Sequence, residues 1–109
     1  MPRGTAPLVS PEVDALLREL HPDWRVSSGP RLERVFHSRE FAALGRLVAA
    51  VAALADELDH HPEVELAWGR LAIGISTHSI GGLSMNDFVL AARIDDLALA
   101  AGFGAGAGH

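Results

Sequence analysis

Three histidines are the groups of this chain best suited to proton transfer at neutral pH: His60, His61 and His78. Imidazole has an unperturbed pKa of about 6.5, so it can give or take a proton with little loss of driving force. A site with two or three such groups can act as an acid toward one atom and as a base toward another. The structural alternative is that a histidine at a helix C-terminus serves the helix dipole or a free carbonyl group.

Carboxylates accompany these histidines in the stretch from Asp56 to Asp87. Asp56 and Asp59 could orient a histidine by accepting its second ring N–H, or they could lie on a solvated helix face. Asp87 completes the pattern Ser84-x-x-Asp87, which is a capping box in which the acid bonds back to the cap residue. Asp87 is therefore either a site residue or a structural helix cap.

A zinc site is the metal alternative for the three histidines, since three His can hold a catalytic zinc ion. Adjacent side chains such as those of His60 and His61 diverge by roughly 100° in a helix and 180° in a strand. The sequence also contains no HExxH pattern. These observations favour proton transfer over metal binding. The chain has no cysteine and no lysine, which excludes disulfides, a thiolate nucleophile and a P-loop at Gly81-Gly82.

Length and composition indicate one globular domain. The chain has 109 residues, of which 49% are hydrophobic, and a net charge of -5 with His neutral. The acidic balance argues against non-specific nucleic-acid binding, which requires clustered Lys and Arg. The longest uninterrupted apolar run, Leu47 to Ala55, is far shorter than the roughly 20 residues of a membrane span. The N-terminus lacks the apolar segment of a signal peptide. We expect a cytoplasmic protein with no membrane partner and no nucleic-acid partner.

The first part of the chain predicts a helix followed by a hairpin. Ser10-Pro11-Glu12 is typical of a helix start, and Pro22 is expected to end that helix. Residues 27–30 form a turn cluster. The flanking segments, Trp24 to Val26 and Arg31 to His37, are therefore predicted to be paired strands.

The clearest helical pattern is an apolar stripe in the middle of the chain, with residues spaced by three and four. Ser38 is expected to cap this helix, and Pro62 to end it. The stripe consists of Phe41, Leu44, Val48, Val51, Ala55 and Leu58.

Two more strands and a helix follow. Val64 to Trp68 and Leu71 to Thr77 are predicted strands joined by a tight turn at Gly69-Arg70, and a helix is predicted from Ser84 to Gly102. In the second strand, alternation points Leu71, Ile73, Ile75 and Thr77 toward the core. The other face carries the small residues Ala72, Gly74 and Ser76 and ends at His78. That face leaves space for a flat group.

The predicted fold is therefore α+β, in the order α-β-β-α-β-β-α, with a four-stranded antiparallel sheet and three helices on one face. We predict a single domain over residues 10–102. Residues 1–9 and the Gly/Ala-rich residues 103–109 are predicted to be flexible.

The motifs Asp59-His60-His61-Pro62, Ser76-Thr77-His78 and Gly82-Leu83-Ser84-x-x-Asp87 resemble those of the pterin-4a-carbinolamine dehydratase family. Members of this family are also known as dimerisation cofactors of a homeodomain transcription factor. The resemblance extends more weakly over residues 24–97, and the combination of motifs at this spacing is specific. The family fold agrees with the element order predicted above.

The resemblance implies an activity and a set of site residues. Family members remove water from 4a-hydroxytetrahydropterins, giving quinonoid dihydropterins, and thereby recycle tetrahydrobiopterin without a metal or other cofactor. Asp56 stands where the family often has Glu and would support the site. Carried over by position, the catalytic residues would be His60, His61, His78 and Asp87. The substrate contacts would be Asp59, His60, His61, Ser76, Thr77, His78 and Ser79.

Two departures from the family pattern leave the substrate open. Val64 stands where the family usually has Trp, and Asn86 stands where it often has Arg. One alternative is a non-catalytic homo-oligomeric binding or regulatory module. Another is a pterin-related enzyme with a different substrate, such as another carbinolamine or a compound of molybdenum-cofactor metabolism. From the family we expect a homodimer or homotetramer.

Overall fold

Seven elements follow one another in the predicted order in a computed structural model that describes residues 7–77 and 80–103. All strand pairs are antiparallel, and the strands lie side by side in the order β1-β2-β4-β3. The predicted α+β class and element order are confirmed. The elements are α1 (Ser10–Leu17), β1 (Arg25–Ser27), β2 (Arg31–His37), α2 (Phe41–Leu58), β3 (Glu63–Ala67), β4 (Arg70–Ile75) and α3 (Met85–Ala100).

The core lies on one face of the sheet, which we call the helix face. Strand alternation places every second side chain there, and Leu32 of β2 stands opposite Ile75 of β4 in the register. The predicted inward direction of the aliphatic residues on β4 is confirmed, because Leu71, Ile73 and Ile75 are buried. Helix residues that complete the core include Leu44, Leu47, Val51, Leu90 and Ile94.

The long helix α2 differs from its prediction at its start and along its stripe. Glu40, not Ser38, is the N-cap residue, because the Ser38 hydroxyl accepts a hydrogen bond from the Glu40 backbone N–H, 3.0 Å away, before the helix begins. Phe41 was predicted on the apolar stripe but is 49% exposed. Leu47 and Leu54, which the prediction omitted, are buried instead.

The first helix is shorter than predicted. Val9 is its N-cap in place of Ser10, and the helix ends at Leu17 rather than at Pro22. After it, the backbone N–H of His21 donates to the Asp95 carboxylate of α3, at 3.1 Å. This bond to α3 satisfies a donor that a continued helix would have used internally.

A part-buried ion pair stabilises the same region. Arg34 Nη1 lies 2.5 Å from Asp95 Oδ1, and the Trp24 indole N–H donates to that oxygen at 2.7 Å. Trp24 was predicted to begin the first strand, but β1 begins at Arg25. The buried Trp24 anchors the preceding loop to Asp95 instead.

The second hairpin also departs slightly from its predicted bounds. Its turn falls at Trp68-Gly69, where Gly69 has a φ of 80°, which favours glycine because it has no Cβ. Strand β4 ends at Ile75 rather than Thr77. Thr77 instead forms an isolated bridge with Gly82.

The two segments predicted to be flexible lie mostly outside the described residues. At their described ends, the Leu8 backbone N–H donates to the Leu83 carbonyl at 2.9 Å. The Phe103 ring packs edge-on against Phe36, with 5.5 Å between ring centroids. The domain bounds remain a prediction.

Candidate active site

The way in which α2 ends determines the position of the two adjacent histidines, His60 and His61. Asp59 adopts the left-handed conformation, with φ 51° and ψ 44°. The His60 backbone N–H donates to the Ala55 carbonyl at 3.0 Å, and the Asp59 N–H to the Asp56 carbonyl at 3.3 Å. This pair of bonds is a Schellman motif, which more often uses Gly at the left-handed position. His60 and His61 therefore lie just beyond the helix, not in its last turn.

His60 contacts the buried carboxylate of Asp87. Its Nε2 atom lies 2.5 Å from Asp87 Oδ1, and the His60 side chain is 10% exposed while that of Asp87 is 0% exposed. Residues 27 positions apart thus meet where α2 ends and α3 begins. A carboxylate in this position fixes the imidazole ring and the nitrogen that carries its proton.

Asp87 is also held by donors from Ser84 and Thr77. Its Oδ2 atom accepts the Ser84 backbone N–H at 2.8 Å, which is the capping-box bond anticipated from the sequence. The Thr77 hydroxyl lies 2.9 Å from each carboxylate oxygen and 3.0 Å from the Ser84 hydroxyl. Asp87 is therefore both a helix cap and a partner of His60. Buried carboxylate oxygens need such hydrogen-bond donors, because burial without a partner is costly.

Thr77 reaches Asp87 because it lies on the helix side of the chain after β4. Its predicted inward direction, shared with Ile73 and Ile75, is confirmed by its burial. From the sequence, Thr77 was predicted to contact substrate, and its bond to Asp87 was not predicted. The alternation of β4 was the signal that could have revealed it.

His61 lies in a different environment from His60. Its Nε2 atom is 2.9 Å from Asp56 Oδ1, and the side chains are 58% and 81% exposed. The Asp56 carboxylate can orient this ring, as considered from the sequence. Asp59 is exposed and forms the turn described above.

The remaining candidate residues follow β4 in the sequence. Ser76 is half-buried, whereas His78 and Ser79 lie outside the described residues. The zinc alternative includes His78 and is therefore not tested as a whole. Over the described ranges, with residues 78 and 79 left out, no group of three or more His, Cys, Asp or Glu could hold a metal ion.

A small cavity lies beside the residues that follow β4. Its volume is about 280 Å³, and it includes the candidate substrate contacts Ser76 and Thr77. The cavity is slightly smaller than the roughly 300–1,000 Å³ that ligand pockets occupy. Its other lining residues are Ser28, Gly29, Pro30, Arg31, Glu63, Gly81 and Gly82.

Comparison with known families accounts for most of the chain. Residues 6–97 match the model of the pterin 4 alpha carbinolamine dehydratase family. The chain belongs to this family. A relative in Alkaliphilus metalliredigens, provisionally named a pterin-4-alpha-carbinolamine dehydratase, is 39% identical over 92 residues, which are 84% of this chain and 83% of the relative. The resemblance inferred from the motifs is confirmed.

Two solved structures agree with the fold. A transcriptional coactivator/pterin dehydratase from Brucella melitensis superposes with a TM-score of 0.79 and 30% identity, covering 84% of this chain and 98% of that chain. A pterin dehydratase-like protein described as a RuBisCO assembly factor in the alpha-carboxysome gives a TM-score of 0.60 and 26% identity, covering 70% and 89%. Within the described part of this family member, no helix is long and apolar enough to cross a membrane.

Proposed function

We propose that this protein is a 4a-hydroxytetrahydrobiopterin dehydratase that recycles tetrahydrobiopterin in the cytoplasm. The observation that carries the proposal is the 2.5 Å contact between His60 and the buried Asp87. Family membership supplies the pterin chemistry, and this pair supplies a histidine held for proton transfer. The proposed reaction uses no metal or other cofactor.

The dehydration requires two proton transfers. The C4a–O bond breaks and its hydroxyl leaves as water after taking up a proton. N5 loses its proton, and the electron pair of that N5–H bond forms the C4a=N5 double bond of the quinonoid product. Imidazoles can perform both transfers, each contributing about 10²–10⁴-fold when well positioned.

His60 is the proposed principal acid/base group. Its Nε2 atom is bonded to Asp87, so Nδ1 is the nitrogen left for the substrate. If the neutral ring keeps its proton on Nε2, Nδ1 is an acceptor that can take the N5 proton. His78 is its proposed counterpart at the 4a-hydroxyl, and Asp87 keeps His60 in the reactive tautomer.

The other candidate residues complete the proposal. His61 is proposed to belong to the catalytic group, and Asp56 is proposed to orient it. Their 2.9 Å contact supports this assignment. Asp59, Ser76, Thr77 and Ser79 are proposed to contact the pterin together with the histidines. The cavity that Ser76 and Thr77 line supports this assignment.

Stopped-flow absorbance tests the activity. Freshly generated 4a-hydroxytetrahydrobiopterin is mixed with wild type, His60→Ala or His78→Ala, and each rate is compared with spontaneous dehydration. We expect wild type to accelerate the reaction and both variants to lose most of that acceleration. Absence of acceleration by folded wild type would overturn the proposal, and unchanged rates in both variants would overturn the acid/base assignment.

A homo-oligomeric binding module is the second candidate function. The edge strand β3 carries Val64 and Leu66, each 38% exposed, and Trp68 beside it is 75% exposed. An edge strand with exposed apolar side chains commonly pairs with another chain, which supports a homodimer or homotetramer. Light scattering of wild type and Trp68→Asp measures this assembly. A monomeric wild type would contradict it, and an oligomer with no dehydratase activity would favour the binding role.

A further inference from the structure

The sheet face opposite the helices, which we call the open face, carries an arginine that covers a glycine. A Cβ atom added to Gly74 would lie 2.0 Å from Nη2 of Arg31 and 2.5 Å from its Cζ. The guanidinium group therefore occupies the space that any larger residue at position 74 would fill. The flat space predicted from the small residues of β4 is partly filled by Arg31.

Two carboxylates hold this guanidinium group from opposite sides. Glu33 on β2 and Glu63 on β3 both stand opposite Gly74 in their registers. Arg31 Nε lies 2.9 Å from Glu33 Oε2, and Arg31 Nη1 donates to Glu63 Oε1 at 2.9 Å. With two carboxylates for one guanidinium, the cluster has a formal charge of −1, so it does not suit an anion.

The cluster is linked to the candidate active site through Thr77. Arg31 and Glu63 line the same cavity of about 280 Å³ as Thr77, and Thr77 contacts the Asp87 carboxylate that holds His60. Glu63 has one oxygen bonded to Arg31 and a side chain that is 66% exposed. A carboxylate retains further acceptor capacity after one such bond.

We propose that Glu63, positioned by Arg31, is the specificity-determining acceptor for the donor edge of the pterin ring. This inference rests on the proposed function. The 2-amino group and N3–H of a pterin are two parallel donors, and a carboxylate can accept two parallel N–H bonds. Arg31 acts through Glu63 and is a positioning residue. Gly74 permits this arrangement because it leaves room for the guanidinium group.

Ring analogues test the inference on wild type without any substitution. Isothermal titration calorimetry compares 7,8-dihydrobiopterin with the matching ring that carries a 2-oxo group in place of the 2-amino group. Loss of a hydrogen bond to a charged group corresponds to a roughly ten- to hundredfold difference in affinity. We expect the wild type to prefer the 2-amino ring by that factor. Equal affinities for the two rings would overturn the inference.

Variants then assign the preference to Glu63. We expect Glu63→Gln to abolish the preference and to raise KM about tenfold or more, with kcat nearly unchanged. Glu65→Gln is the matched control, because Glu65 lies two residues along the same strand face and is also exposed. A Glu63→Gln variant that keeps the wild-type preference would contradict the assignment.

The positioning role of Arg31 is tested by asking whether the effect of its substitution depends on Glu63. We expect Arg31→Met and Gly74→Ala each to weaken the preference about three- to tenfold, and to have no effect when Glu63→Gln is already present. Equal effects in both backgrounds would contradict the positioning role. If wild type binds neither ring and does not accelerate dehydration, the proposed function itself fails. If wild type binds the 2-amino ring and accelerates dehydration, and Glu63→Gln behaves like wild type, only this inference fails.

Discussion

His60 and Asp87 join the end of one helix to the start of another through a 2.5 Å contact between ring nitrogen and carboxylate. The Asp87 carboxylate is fully buried, and the bonds from Ser84 and Thr77 fix its position. The orientation of His60 is therefore set by the packing of the domain.

Replacing Asp87 by Asn should remove the charge that holds His60 while keeping the side-chain shape. We expect turnover to fall about 10²-fold or more, because an amide does not stabilise the imidazolium or fix the same tautomer. Stopped-flow dehydration rates measure the change, and circular dichroism checks the fold. Asp96→Asn, on an exposed position of the same helix, serves as the control. A rate near wild type in Asp87→Asn would argue against the orienting role.

The two adjacent histidines should differ in importance. We expect His60→Ala to lower turnover about 10²–10⁴-fold and His61→Ala to lower it less, since the His61–Asp56 pair is exposed and solvent-screened. Asp56→Asn should therefore resemble wild type more closely than Asp87→Asn does. Rate constants for the four variants decide the order. A larger loss for His61→Ala than for His60→Ala would reverse the assignment.

Thr77 offers a test of the hydroxyl that supports Asp87. Thr77→Val keeps the volume but removes the donor, so we expect the free energy of unfolding to fall by about 1–3 kcal/mol and turnover to fall with it. Thr77→Ser retains the hydroxyl and is the matched control. Urea denaturation and stopped-flow rates measure the two effects. Equal behaviour of the Val and Ser variants would show that the hydroxyl is dispensable.

The Asp95 cluster should matter for stability. Asp95→Ala leaves the buried guanidinium of Arg34 without its carboxylate and also removes the acceptor of the Trp24 indole. We expect the free energy of unfolding to fall by about 3–5 kcal/mol, measured by urea denaturation. Asp96→Ala, at an exposed position next to it, should change stability by no more than about 0.5 kcal/mol. Comparable losses of stability in the two variants would contradict the importance of the Arg34–Asp95 pair.

Periodicity in the sequence accounts for the fold to the level of element order and core faces. The alternation of Leu71, Ile73 and Ile75 predicted the buried face of β4, which the structure confirms. The predicted ends of the helices and strands were less accurate. Pro22 was expected to end the first helix, but the helix ends at Leu17. After it, the His21 backbone N–H donates to the carboxylate of Asp95, 74 residues away. Such a bond leaves no local pattern in the sequence.

By itself, the sequence determined the residue types at the site, the alternation of the strands and the motifs that identify the family, because these are local properties. Only the tertiary structure decided that Asp87 meets His60 and that Arg31 lies across Gly74 between Glu33 and Glu63. These contacts depend on strand register and on how α2 ends relative to the start of α3. Both follow from packing the whole core, in which hydrophobic burial is non-directional and specific contacts are set by distant neighbours.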